Sequence, residues 1–130
     1  MDAIVAGEEE TVDPAPEWVR ETLQKVSHAA HEHDRFICLI RSGDDQLNAL
    51  CADGAWVMEW YRTDQGGHLA GFRSGQAPDR LPRRRGFLAR LFKGPSPISG
   101  SRISTSEAAA MLDSYVAGAQ SFAGFEWVKL

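Results

Sequence analysis

The sequence contains little of what catalysis, secretion or metal binding requires. Its 130 residues include two cysteines, Cys38 and Cys51, and no C-x-x-C pair that can hold zinc or carry out redox chemistry. No apolar run approaches the roughly 20 residues that span a bilayer. No nucleophile elbow and no phosphate-binding loop is present. These absences argue against an enzyme, a membrane-spanning protein and a zinc protein, and we interpret both cysteines as buried free thiols.

The N-terminal residues are acidic, and they lack the basic start and apolar centre of a signal peptide. Their acidic side chains include those of Glu8, Glu9, Glu10 and Asp13. We therefore predict a flexible acidic segment over residues 1–15, a single domain over residues 16–130 and a cytoplasmic location. A hydrophobic fraction of 43% and a charged fraction of 25% are those of one ordinary globular domain.

Positive charge is scarce outside one segment. Residues 80–102 hold seven Lys/Arg and no Asp/Glu, whereas residues 1–79 hold six Lys/Arg against fifteen Asp/Glu. The net charge of −4 thus averages an acidic body and a basic insertion, which we place in a loop at about 74–102. An acidic body suits a basic partner, and a basic segment suits an anion.

Hydrophobic periodicity predicts an α+β domain. Apolar residues recur at helical spacing from Trp18 to Ala30, and Ser104 with Glu107 forms a capping box that starts a second helix. Between them, short segments joined by Asp/Gly turns predict a meander of four strands, and the segment from Phe125 predicts a fifth. The predicted order is α-β-β-β-β-loop-α-β. An N-terminal and a C-terminal helix then pack against an antiparallel meander sheet of about five strands.

The third predicted strand, residues 55–62, is the clearest. One of its faces carries Trp56, Met58 and Trp60, and the other carries Val57, Glu59 and Tyr61. Both faces have apolar bulk, so we predict a central position in the sheet. No second carboxylate, histidine or nucleophile is tied to Glu59 by a catalytic spacing. We expect a structural partner for it, namely Arg62, Arg73 or His68.

Titratable side chains crowd the end of the first predicted helix. They are those of His28, His31, Glu32, His33 and Asp34. A metal site needs ligands that converge on one point. We favour a solvated helix end instead, where histidine complements the helix dipole.

The basic segment interleaves Arg and Lys with Phe and Leu. As a short helix it would have a cationic and an apolar face, which suits anionic membranes, nucleic-acid phosphates or an acidic protein groove. We favour the alternative of a surface excursion whose apolar side chains dock on the domain, because so short a helix is marginal alone. Its candidate contact residues are Arg83, Arg84, Arg85 and Phe87.

Several short motifs follow one another from Leu47 to the C-terminus. They are Met58-Glu59-Trp60 with Tyr61-Arg62, then Gly66-Gly67-His68-Leu69-Ala70, then Ile103-Ser104, Tyr115-Val116-Ala117-Gly118 and Trp127. In this order they resemble the Imm1-type family of bacterial immunity proteins, which accompany polymorphic toxins and are usually encoded beside them. The basic segment interrupts the match, and it is longer and more basic than the family connection.

The resemblance implies an inhibitor that binds a cognate toxin stoichiometrically, with no chemistry and no cofactor of its own. The acidic body suits a basic toxin such as a nuclease, because complementary charge raises the association rate. The candidate toxin contacts are Glu59, Trp60, Tyr61, Arg83, Arg84, Arg85 and Phe87; no residue is assigned to catalysis or metal binding. Two alternatives stay open. One is a peripheral module that uses the basic segment on nucleic acid or anionic membrane, and the other is a small adaptor or secretion chaperone.

Overall fold

The computed structural model describes residues 2–5, 11–29, 35–77 and 100–130. These ranges contain two helices, α1 (Pro16–Ser27) and α2 (Thr105–Val116), and seven strands. The strands are β1 (Asp2–Val5), β2 (Thr11–Val12), β3 (Phe36–Ser42), β4 (Asp45–Ala52), β5 (Ala55–Arg62), β6 (Gly67–Arg73) and β7 (Phe125–Lys129). Neither helix within these ranges has the length and apolar character to cross a membrane.

The strands form one antiparallel sheet in the order β2-β1-β3-β4-β5-β6-β7. Strands β3 to β6 are neighbours in both sequence and space, as a meander requires. The predicted α+β class is confirmed, with an antiparallel sheet and two helices. Strand β5 lies between β4 and β6, in the central position that its two apolar faces predict.

The described residues give the sheet seven strands, where the sequence predicts about five. The two additional strands, β1 and β2, fall in the segment expected to be a flexible lead-in. Ala3 lies opposite Leu39 of β3, and both are fully buried. The sequence pattern could not predict these strands, because four and two residues are too few to display alternation. These segments form strands because β1 pairs with β3, which is distant in sequence.

The helices start and pack as their sequences dictate. Pro16 occupies the first turn of α1, where its missing N–H costs no hydrogen bond. Ser104 caps α2 through the predicted capping box: its hydroxyl accepts from the Glu107 N–H, and the Glu107 carboxylate accepts from the Ser104 N–H. Each helix buries one apolar side, and the two helices contact each other.

The core lies between the helices and one face of the sheet. Alternation and register bring the larger side chains of that face together, and these are Ile37, Leu39, Leu47, Trp56, Met58, Trp60 and Leu69. The helices cover them with Val19, Leu23, Val26, Met111, Leu112 and Tyr115. Within the described ranges, no helix covers the opposite face.

The chain returns to the sheet between β5 and β6. Ser101 N–H donates to the Gly71 carbonyl at 2.9 Å, and Trp56 exchanges backbone hydrogen bonds with Ile103 at 2.8 and 2.9 Å. Gly100 precedes them with φ 139°, and a Cβ at this position would lie 2.6 Å from Val57 Cγ1. Glycine is therefore required here. The segment closes one end of the helix-free face, beside Val57.

Candidate functional site

Strand β5 sends its candidate contact residues to opposite faces. Glu59 and Tyr61 lie on the helix-free face, whereas Trp60 is 2% exposed and points into the core. The sequence-based assignment of Trp60 to a contact surface is corrected, because a buried core side chain offers nothing to a partner. The remaining candidates, Arg83, Arg84, Arg85 and Phe87, lie outside the described residues.

Trp60 belongs to a partly buried polar network centred on Asp45. Its Nε1–H donates to Asp45 Oδ1 at 2.7 Å, and the Tyr115 hydroxyl donates to the same oxygen at 2.9 Å and to the Asp45 carbonyl at 2.8 Å. Arg41 Nη1 lies 3.4 Å from Asp45 Oδ2. Burial and the hydrogen bond to Asp45 raise the pKa of Tyr115, so its hydroxyl stays protonated and remains a donor.

Aromatic rings pack around this network. Trp60 meets Tyr115, Phe122 and Trp127 edge to face, with centroid distances of 6.3, 5.0 and 5.1 Å. The Arg41 guanidinium lies 3.8 Å from the Tyr115 ring centroid and donates to the Tyr115 carbonyl at 2.7 Å, near the end of α2. Three residues of the family-like motifs, Trp60, Tyr115 and Trp127, thus converge in one cluster that joins the sheet to α2.

The accessible end of the helix-free face is formed by β3 to β6. We call the open sheet face the set of Ile40, Gln46, Asn48, Glu59, Tyr61 and His68. Register places Ile40, Gln46, Tyr61 and His68 in one row across the strands, and Asn48 opposite Glu59 in the next. All six side chains are partly or largely exposed. Sequence reasoning missed Gln46 and Asn48, although their alternation with Leu47 and Ala49 was a usable signal.

Glu59, His68 and Tyr61 form the centre of the open sheet face. His68 Nδ1 lies 2.7 Å from Glu59 Oε1, and the contact is an ion pair when the imidazole is protonated. The Tyr61 ring lies 4.8 Å from the imidazole, tilted by 51°. His68 is one of the three partners expected for Glu59, and that prediction is confirmed. Among the described residues no hydroxyl or thiol hydrogen-bonds either side chain, so the pair offers charge and acceptor oxygens rather than a nucleophile.

Within the described strands, the charge on this side of the sheet is negative. Asp2 lies on it opposite Ile40, and Glu126 lies on it opposite Phe72, so both flank Glu59. No Lys or Arg of these strands lies on this side. Arg20 and Lys25 are on α1, Arg41 and Arg73 contact α2, Arg62 lies over Trp60, Lys129 lies over Gly66, Arg35 reaches the Ala29 carbonyl, and Arg102 pairs with Asp53.

The opposite side of the molecule carries mixed charge. A groove of about 570 Å³ runs between α1 and α2, and Arg20 and Asp113 approach within 3.6 Å in it. Nearby, the Arg73 guanidinium makes a bidentate contact with Glu107 and lowers the pKa of that carboxyl to about 2. These contacts join the helices to each other and to the sheet, and they leave no single sign of charge in the groove.

Neither cysteine is a reactive group. Both are free and buried, as the sequence predicts. Burial raises the pKa of the Cys38 thiol to about 11, and it also raises the pKa of Cys51, so neither is a thiolate near neutral pH. The described part of the chain contains no cluster of three or more His, Cys, Asp or Glu that could hold a metal ion. Comparison of this chain with protein-family models, with curated proteins and with solved structures found no match.

Proposed function

We propose that this chain is a cytoplasmic immunity protein of the Imm1 type, which binds a cognate basic toxin one to one and blocks it. The observation that carries the proposal is the convergence of the motif residues. Trp60, Tyr115 and Trp127 meet in one aromatic cluster, while Glu59 Oε1 and His68 Nδ1 lie 2.7 Å apart. The motif residues therefore form two groups on opposite faces of β5: the aromatic cluster in the core, and the Glu59–His68 pair on the exposed face.

The exposed end of the helix-free face can form the centre of a protein interface. Neighbouring strands lie about 4.8 Å apart and rise about 3.4 Å per residue, so this end, four strands of about four residues, presents roughly 260 Å². The other end of the face is buried at Cys38, Val57, Ala70 and Phe72. A stable interface buries about 800 Å² on each partner, so the residues around the open sheet face must supply the rest of the contact. Inhibition by coverage needs no catalytic group in the inhibitor, in keeping with a site that has charge but no nucleophile.

A growth-protection assay tests the proposal. The protein encoded beside this chain is induced in a bacterial host, with or without this chain. We expect growth arrest when the neighbour is produced alone, full growth when both are produced, and a complex with equal numbers of the two chains on purification.

Two results would sink the proposed function. One is a neighbouring gene product that does not arrest growth. The other is growth arrest that persists although both proteins accumulate in soluble form. An unrelated toxin of similar charge serves as the control, because a cognate inhibitor does not protect against it.

A further inference from the structure

We propose that the open sheet face is the surface that contacts the toxin, and that a lysine or arginine of the toxin pairs with Glu59 in place of His68. This inference rests on the proposed function and adds the surface, the anchoring residue and the chemistry of the partner group. The partner to which it commits is a cationic protein surface.

Charge complementarity is the first argument. On the described strands, the helix-free face carries Asp2, Glu59 and Glu126 and no Lys or Arg, and the cation nearest its closed end, Arg102, pairs with Asp53. Glu59 is about 12 Å from Glu126 and about 16 Å from Asp2, taking two and three strand spacings and an offset of two residues along the strands. Three carboxylates within the span of one interface attract a cationic surface, and they would repel an acidic one.

Glu59 is also less exposed than the histidine with which it pairs. The Glu59 side chain is 24% exposed, whereas the His68 side chain in contact with it is 57% exposed. A partner that covers His68 and Tyr61 therefore removes Glu59 from water. A carboxylate in that position needs a permanent positive charge, which lysine and arginine supply and histidine supplies only when protonated.

The surroundings of Glu59 resemble the centre of a binding interface. Tyr61 supplies the aromatic surface that dominates many interfaces, and Ile40 adds apolar area in the same row. The amides of Gln46 and Asn48 can both donate and accept hydrogen bonds. An arginine of the partner can stack on the Tyr61 ring and pair with the Glu59 carboxylate at the same time.

Matched glutamate substitutions test the surface. Glu59→Gln and Glu21→Gln remove the same charge, but Glu21 is exposed on α1, on the other side of the molecule. Titration calorimetry measures the affinity of each variant for the neighbouring gene product, inactivated at its own catalytic residue. We expect Glu59→Gln to weaken binding about 30-fold or more, because it removes the negative charge from a covered charge pair, and Glu21→Gln to change it less than about threefold.

A His68→Ala variant tests the exchange of partners. If the toxin cation replaces His68 at Glu59, removing the imidazole releases Glu59 before binding, and affinity rises or stays level. If His68 is itself the contact, affinity falls as steeply as in Glu59→Gln, which would overturn the exchange. Circular dichroism and urea unfolding establish that each variant is folded.

A probe that does not depend on the toxin distinguishes a wrong surface assignment from a wrong proposed function. Backbone amide shifts are recorded while a nona-arginine peptide is added to the full chain, with nona-glutamate as the control. We expect shifts centred on β4, β5 and β6 that disappear in Glu59→Gln. Shifts confined to α1 or to residues 8–10 would overturn the surface assignment. Wild-type chain that shifts as expected but ignores the neighbouring gene product would instead overturn the proposed function.

Discussion

The Asp45 network permits a quantitative prediction for Asp45→Ala. The substitution removes the acceptor of the Trp60 Nε1–H, which is buried with its ring. A buried donor without a partner costs about 1–3 kcal/mol. The lost hydrogen bond of the Tyr115 hydroxyl costs less free energy, because the hydroxyl still donates to the backbone carbonyl of residue 45.

Arg41 adds a smaller contribution. Its side chain is 13% exposed, and it loses its carboxylate partner but keeps the Tyr115 and Ala119 carbonyls. This loss is well below the 3–5 kcal/mol of a fully buried broken pair, and we take about 1 kcal/mol. Asp45→Ala should therefore lower the free energy of unfolding by about 3 kcal/mol, a large fraction of the 5–15 kcal/mol typical of a domain.

Urea unfolding measures the effect. With a slope of about 2 kcal/mol/M, the midpoint should fall by about 1.5 M. Asp45→Asn is the matched control: it keeps an oxygen acceptor for Trp60 and Tyr115, so it should cost only about 1 kcal/mol. An Asp45→Ala variant within about 1 kcal/mol of wild type, or an Asn variant as unstable as the Ala variant, would refute the reasoning.

Three further predictions concern stability and reactivity. Gly100→Ala should destabilise the fold by about 1–3 kcal/mol in thermal unfolding, because its Cβ would collide with Val57, whereas Gly43→Ala should have little effect, since nothing lies within 4 Å of its Cβ; equal effects would contradict this. Glu107→Gln should lower the free energy of unfolding at pH 7. The difference in this free energy between wild type and variant should shrink as pH falls below about 4.5 and vanish near pH 2, because a carboxyl with a lowered pKa stabilises the folded state only while it stays ionised there. A difference independent of pH would refute the Arg73 contact as its cause. Finally, Ellman's reagent at pH 8 should modify neither thiol of the native protein and both in urea, since both are buried; rapid native reaction would contradict the burial of Cys38 and Cys51.

Local sequence signals predicted the elements that depend on local chemistry. The capping box at Ser104 and the alternation of β5 are each complete within a few residues, and both have the predicted form. Strand β1 and the insertion of Ser101 between β5 and β6 depend on pairing with distant segments. Such pairing has no signature in four residues, so only the folded chain reveals it.

The candidate site was predictable in part. The alternation of β5 and the next strand narrowed the partner of Glu59 to Arg62, Arg73 or His68, and the structure selects His68 because the hairpin places it beside Glu59. Trp60 was misassigned because the motif groups it with Glu59, although period-two alternation separates the two faces. Gln46 and Asn48 join the site only once the register of β4 is known. A motif names neighbours in sequence, whereas a surface consists of neighbours in space.

The most direct test of the account is a calorimetric titration of the inactivated neighbouring gene product into this chain at low and high salt. We expect one-to-one binding that weakens as salt rises, because a charged surface attracts the partner. We also expect Glu59→Gln to lose most of the affinity and Glu21→Gln almost none. No binding at low salt, or equal binding by the two variants, would contradict it.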